Sequence, residues 1–207
     1  MKKKIVIIIP GAKFIKSKNK FMQFIILSFY SLTNVMHPIY INYAGGWKEF
    51  FARKNSHVIW LHWSRGISLF SKWIAIRKLK RLIKHYKNYD IVVVGMSLGG
   101  EIALEVAEKF PNKIKKIILV GSANEKSVFN TGNTKIINLY SKKDKFQEFA
   151  VKALSPIFGS VQLRGPNVKN INLPGITHDK FFANTKIKYG KYKGKNISET
   201  IENFIKN

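Results

Sequence analysis

Short runs of consecutive apolar residues, rich in isoleucine and valine, recur along the chain. Runs that are apolar at successive positions, not alternate ones, are typical of strands covered on both faces, as in a parallel sheet. The sequence therefore predicts five such strands and a weaker sixth: Lys4–Ile9, His57–Trp63, Asp90–Gly95, Lys116–Val120, Lys135–Tyr140 and Val168–Leu173.

Between these runs, apolar residues recur every three to four positions, which is the spacing of an amphipathic helix. The pattern predicts helices over Ile67–Tyr86, over Leu98–Phe110 and from Asn196 onwards, where Glu199 would complete a capping box. In the first helix, basic positions alternate with Phe70, Trp73, Ile74, Arg77, Leu82, Ile83 and Tyr86. In the second, the expected inward residues are Ile102, Val106 and Phe110, and the expected outward ones are Glu101, Glu105, Glu108 and Lys109.

The alternation of strands and helices runs over the whole length without a repeat, a low-complexity block or a linker. It predicts one α/β domain over residues 1–207, with a mostly parallel central sheet of about six strands and helices on both faces.

Two apolar segments near the start are too short for targeting or for crossing a membrane. The run Ile5–Ile9 stops at Pro10 and falls short of the ~7–15 residues of a signal-peptide core. Polar residues interrupt Phe21–Met36, which is shorter than the ~20 residues of a spanning helix. We therefore expect a buried helix there and a cytoplasmic protein, and a helix lying in a membrane interface is the other interpretation of this segment.

The charge is strongly unbalanced, with 37 Lys and Arg against 11 Asp and Glu and a net charge of +26. Only 5 of the basic residues are arginine, whereas surfaces that read phosphates favour its bidentate guanidinium. No nucleic-acid partner is expected. The excess fits either a compositional bias of the chain or a weak contact with an anionic membrane surface.

The absence of cysteine excludes disulfides, a cysteine nucleophile and thiolate metal sites.

The segment Gly95–Gly99 has the pattern Gly-x-Ser-x-Gly around Ser97, which makes Ser97 a candidate catalytic residue. The segment follows a predicted buried strand and opens a predicted helix, which is the setting of a nucleophile elbow. The alternative is a glycine-rich turn that binds phosphate, but neither Gly-x-Gly-x-x-Gly nor Gly-Lys-Ser/Thr is present. With this motif in this setting, the chain resembles the α/β-hydrolase fold family of serine hydrolases over nearly its whole length.

The resemblance implies an acid and then a histidine, in this order along the chain after the nucleophile. Of the five histidines only His178 follows Ser97, in a loop just past the sixth predicted strand. The acids between residue 111 and His178 are Glu125, Asp144 and Glu148, and we favour Asp144 because it follows the fifth strand. Asp179 is interpreted as an acid that caps the loop.

The resemblance also implies two backbone N–H donors for the oxyanion of a tetrahedral intermediate. Leu98 would supply one as the residue after the nucleophile. Ala12 would supply the other from the loop after the first strand, where this chain has Pro10-Gly11 and many family members have His-Gly. A plain turn is the other interpretation of that loop.

The connection between the fourth and fifth strands, Gly121–Thr134, is too short for a helical cap, so an open site is expected. Its candidate walls are Phe14–Tyr43, His62–Ser64 and Phe181–Lys195, which could equally be core. The resemblance implies a serine hydrolase without cofactor or metal that cleaves a small-molecule carboxylic ester through an acyl-enzyme. A thioesterase, an acyltransferase and a non-catalytic basic protein that binds membranes or nucleic acid on the same scaffold stay open, as does the oligomeric state.

Overall fold

The structure is a computed structural model, and it describes residues 3–11, 57–61, 63, 69–154, 159–182 and 185–206. The helix predicted over Phe21–Met36 lies outside the described residues. So do Ala12, His62, Ser64 and the candidate wall Phe14–Tyr43.

Six parallel strands form one sheet in the order β2-β1-β3-β4-β5-β6. The strands are β1 (Lys4–Ile9), β2 (His57–Trp60), β3 (Asp90–Met96), β4 (Lys116–Val120), β5 (Lys135–Tyr140) and β6 (Val168–Asn172). The six predicted strands are thus all present, and their ends differ from the prediction by at most three residues.

Both faces of this sheet are covered, which explains the continuous apolar runs. In β1, Ile5, Ile7 and Ile9 belong to one buried cluster, whereas Val6 and Ile8 belong to the cluster on the opposite face. Successive side chains of a strand point to opposite faces, so a strand covered on both faces is apolar at successive positions and not only at alternate ones.

Helices on the two faces complete these clusters. The helices are α1 (Leu69–His85), α2 (Leu98–Lys109), α3 (Lys145–Leu154), α4 (His178–Phe182) and α5 (Ile197–Lys206). Residues of α1 and α2 contribute to the first cluster and residues of α4 and α5 to the second. The glutamate of the predicted capping box is in place at α5, because Glu199 Oε2 accepts the Asn196 N–H at 2.8 Å. The predicted fold class is confirmed.

The predicted inner face of α1 is partly wrong. The helix buries Ala75, Ile76, Leu79 and Ile83, whereas Phe70 and Trp73 are exposed. The sequence pattern misled here because α1 carries more large apolar residues than one face against the sheet can cover.

All six strands end at one edge of the sheet, and the loops that leave this carboxyl edge carry the candidate residues. Ser97 follows β3, Asp144 follows β5, and His178 follows β6. Residues 121–134, which join β4 to β5 at the same edge, contain no helix. In an open parallel sheet, sites form outside the carboxyl ends of the strands.

Candidate active site

Ser97 occupies the sharp turn between β3 and α2. Its backbone has φ 50° and ψ −124°. Among the described non-glycine residues, only Asn112 also has a positive φ. A non-glycine residue with positive φ is strained by about 1–3 kcal/mol and persists only where its surroundings enforce it. The strained turn that the Gly95–Gly99 pattern predicts is therefore at the serine itself.

The surroundings that enforce this turn come from β1 and β4. The Ser97 N–H donates to the Val120 carbonyl at 3.0 Å, and the Ser122 hydroxyl donates to the Ser97 carbonyl at 2.8 Å. On the other side, a Cβ at Gly99 would collide with the Ile9 carbonyl oxygen. The second glycine of the motif is thus required by the close approach of β1.

Asp144 and His178 meet at the same edge. His178 Nδ1 lies 2.8 Å from Asp144 Oδ2, and the other carboxylate oxygen accepts the Gln147 N–H at 2.9 Å. The Asp144 side chain is fully buried and that of His178 is 14% exposed. A buried carboxylate is tolerated when its oxygens are hydrogen-bonded, and here both are.

Two further contacts fix the position of His178. The Phe146 ring of α3 lies against the imidazole, with ring centroids 4.5 Å apart. The Phe181 ring of α4 lies against Gly121, the residue after β4. This contact holds α4 beside the end of β4, where the Val120 carbonyl accepts the Ser97 N–H. His178 was predicted in a loop, but it is the first residue of α4, because the Thr177 carbonyl accepts the N–H groups of Lys180 and Phe181.

A chain of buried hydrogen bonds joins the elbow to the acid. Ser122 binds the Ser97 carbonyl, Gln147 Nε2 donates to the Ser122 carbonyl at 2.5 Å, and the Gln147 N–H binds Asp144. Ser122 and Gln147 are both completely buried. Neither residue belongs to a motif, and their one signal in the sequence is that polar residues follow closely on the ends of β4 and β5.

The candidate oxyanion donors are described only in part. Leu98 is the first residue of α2, where backbone N–H groups point away from the helix. Ala12 lies outside the described residues, but Gly11 before it approaches Ser97 so closely that a Cβ there would be 2.8 Å from Ser97 Cβ. Trp63 Nε1 holds this loop by donating to the Pro10 carbonyl at 3.1 Å.

The other acids considered make different contacts. Glu148 pairs with Lys145 at 3.1 Å and Lys152 at 3.7 Å on the exposed side of α3, and Glu125 pairs with Lys72. Asp179 accepts the Thr177 hydroxyl at 2.6 Å in the first turn of α4. Of the predicted wall Phe181–Lys195, Phe181 belongs to the core.

Glu101 departs from the prediction that it faces outward. It lies one turn after Ser97, is only 2% exposed, and accepts the Glu125 N–H at 3.1 Å. Burial raises the pKa of Glu101 to about 7, against the opposing effect of Lys72 at 3.8 Å. The pattern failed because Lys72 of α1 and the loop after β4 cover this face of α2.

We expect Glu101→Gln to change how stability depends on pH. A carboxyl with a folded pKa of about 7 and an ordinary unfolded pKa binds more protons in the folded state, so stability falls as pH rises between these values. The slope is at most about 1.4 kcal/mol per pH unit. Glutamine keeps the acceptor for Glu125 N–H but does not ionise. Denaturant unfolding should therefore show the variant gaining stability relative to the wild type from pH 5 to pH 7.

Glu108→Gln is the matched control for this experiment. Glu108 also lies on α2 and accepts a backbone N–H from the same loop, that of Asn130 at 2.8 Å, but nearer to solvent. The prediction would be contradicted if Glu108→Gln gained as much stability relative to the wild type from pH 5 to pH 7 as Glu101→Gln. It would also be contradicted if Glu101→Gln gained none.

The part of the chain that the structure describes shows neither a metal site nor a membrane-spanning helix. It holds no group of three or more His, Asp or Glu side chains arranged to bind a metal ion. None of its helices has the length and apolar character needed to cross a membrane.

Comparisons with known proteins agree with this architecture. A sequence profile described as the alpha/beta hydrolase fold matches residues 54–155. An alpha/beta hydrolase from a lagoon-sediment metagenome, MGS-MChE2, is similar with a TM-score of 0.54 and 14% identity, over 99% of this chain and 92% of that one. A Nitrososphaera gargenis structure from a study of carboxylesterases has a TM-score of 0.54 and 13% identity, over 99% and 90% of the two chains. The chain therefore has the α/β-hydrolase fold.

One curated relative also matches, over a short segment. A Drosophila melanogaster protein named "Probable serine hydrolase" is 29% identical over 62 residues, which is 30% of this chain. The matched segment spans only 19% of that relative's length.

Proposed function

We propose that this protein is a serine hydrolase that cleaves a carboxylic ester, with Ser97 as nucleophile, His178 as base and Asp144 as the acid that orients it. The observation that carries the proposal is the Asp144–His178 contact of 2.8 Å at the edge where Ser97 sits in its strained turn. The relative named a serine hydrolase and the carboxylesterase study support the same class of reaction.

In the first half of the reaction Ser97 attacks the ester carbonyl. Asp144 accepts from Nδ1, which keeps the proton of the neutral imidazole on Nδ1 and the lone pair on Nε2. His178 takes the Ser97 proton at Nε2 and then gives it to the leaving alkoxide as the C–O bond breaks. Asp144 stabilises the imidazolium that exists between these two steps.

In the second half, water hydrolyses the acyl-enzyme. His178 takes a proton from the water, the resulting hydroxide adds to the acyl carbon, and the Ser97–acyl bond breaks as His178 returns the proton to Ser97 Oγ. The products are a carboxylic acid and an alcohol. The N–H groups of Leu98 and Ala12 are the proposed donors to the oxyanion in both halves.

Labelling by a fluorophosphonate probe tests this proposal. The probe phosphonylates a serine only where a base activates it, so we expect the wild type to be labelled and Ser97→Ala to remain unlabelled, as read by in-gel fluorescence and by the mass of the modified peptide. The control is Ser160→Ala, which removes a partly exposed hydroxyl that donates to the Gln162 carbonyl. Ser160→Ala should be labelled at the wild-type rate.

Two outcomes would reject the proposed function. One is a wild type that stays unlabelled while its circular dichroism shows a folded protein. The other is label on Ser97→Ala to the wild-type extent, which would place the reactive residue elsewhere.

A further inference from the structure

The outer face of α1 carries a stripe of aromatic and basic residues. Phe70, Trp73, Arg77, Arg81 and Lys84 follow one another at spacings of three, four, four and three, which places them on one side of a helix. All five are exposed, Phe70 by 59% and Trp73 by 49%. These five residues are called the α1 stripe below.

The charge of α1 has a single sign. Its 17 residues include six Lys and Arg and no Asp or Glu. Two of the chain's five arginines lie in the α1 stripe. Arginine binds phosphate groups through its planar fork, so this surface is complementary to a surface of phosphates.

The indole of Trp73 contacts two neighbours in the α1 stripe. The Phe70 and Trp73 rings stack at 6.0 Å and 21°, and the Arg77 guanidinium lies 4.5 Å from the Trp73 centroid. The indole therefore already contacts a ring from the turn before and a guanidinium from the turn after, and a nucleic-acid base stacking on it would compete with these contacts. An exposed tryptophan beside basic groups suits the headgroup region of a membrane, where tryptophan is enriched.

The aromatic end of the α1 stripe lies at the edge of the sheet that holds Ser97. Helix α1 connects β2 to β3, which are parallel, so it starts at the carboxyl edge and runs back to the amino edge. Lys72, between the two aromatic residues, bonds Glu125 in the loop after β4 at 2.7 Å and lies 3.8 Å from Glu101 on the first turn of α2.

We propose that the α1 stripe docks this protein on the surface of an anionic phospholipid membrane. Phe70 and Trp73 enter the headgroup region, and Arg77, Arg81 and Lys84 contact lipid phosphates. The dominant positive charge of the chain draws it to such a surface, and the α1 stripe sets the orientation. Docking brings the carboxyl edge of the sheet close to the membrane.

The test measures binding alone, so it uses the full chain with Ser97→Ala and is independent of the proposed reaction. Cosedimentation with phosphatidylcholine vesicles, with and without phosphatidylglycerol, gives the partition coefficient. We expect binding only with phosphatidylglycerol. The variant Trp73→Gln/Arg77→Gln/Arg81→Gln should bind more than 25-fold more weakly, since each basic residue near the surface contributes roughly fivefold and Trp73 adds to that.

The control variant is Tyr189→Gln/Lys191→Gln/Lys193→Gln. It also removes one exposed aromatic and two exposed basic residues, from a loop that packs on the opposite face of the sheet. We expect a loss of less than about fivefold. Both variants should keep the wild-type thermal midpoint because all six side chains are exposed.

Three results would overturn the proposal. Equal losses in the two variants would mean that net charge alone drives binding. Unchanged binding of the α1 variant would mean that another surface docks. Binding of short single-stranded DNA that is tighter than vesicle binding and is lost in the α1 variant would assign the α1 stripe to nucleic acid.

Discussion

Ser97→Ala and His178→Ala should each lower kcat for an aryl ester by roughly 10⁶, and the double variant should be no slower than either one. The reason is that the serine is a poor nucleophile without its base, and the base has no proton to take without the serine. Residues that act as one unit have losses that do not add. Initial rates with a p-nitrophenyl ester measure all three variants against the uncatalysed reaction.

His57→Ala is the control for this series. His57 is exposed at the start of β2, at the amino edge of the sheet and thus at the end opposite Ser97. The kcat of the His57→Ala variant should equal that of the wild type. If the losses of Ser97→Ala and His178→Ala instead multiply in the double variant, the two residues act independently and the proposed mechanism is wrong.

Asp144→Asn should lower kcat by about 10⁴, the effect of a wrong tautomer of the base. The Gln147 N–H donates to Oδ1, so the asparagine keeps its carbonyl oxygen there and turns its NH₂ group towards His178 Nδ1. An NH₂ group at Nδ1 forces the imidazole proton onto Nε2, where it blocks acceptance of the Ser97 proton. The loss should appear in kcat, with little change in KM.

Asp179→Asn is the matched control, since it makes the same chemical change one residue from His178. Asp179 accepts the Thr177 hydroxyl, a bond that the asparagine carbonyl can keep. A change of less than about threefold is expected. A loss in Asp179→Asn that matches the loss in Asp144→Asn would mean that the negative charge near His178 matters and not the bond to Nδ1.

The sheet could be predicted because its central strands β1, β3 and β4 carry runs of consecutive apolar residues, a pattern that few other structures produce. The three candidate residues could be proposed because acids and histidines are scarce: Ser97 is followed by one histidine, and the acids between are few. Because histidines and acids are scarce, the order of serine, acid and histidine that the resemblance implies can be assigned to three specific positions.

Contacts between distant segments could not be predicted. Glu101 looked like a solvent-facing helix residue, because no local pattern shows that Lys72 and the Glu125 N–H will cover it. Ser122 and Gln147 bond across 25 positions of sequence. The exposure of Phe70 and Trp73 likewise follows from how much of α1 the sheet can cover, and that depends on packing rather than on periodicity.

The hydrogen-bonded route from Ser97 through Ser122 and Gln147 to Asp144 has a consequence for how the protein regains its structure from denaturant. Its bonds join residues 25, 25 and 3 positions apart, and the last contact, to His178, spans 34 more. Contacts of such separation require large loops to close and form slowly. Helical signal should therefore return first on refolding, and a reactive serine only after β6 has joined the sheet.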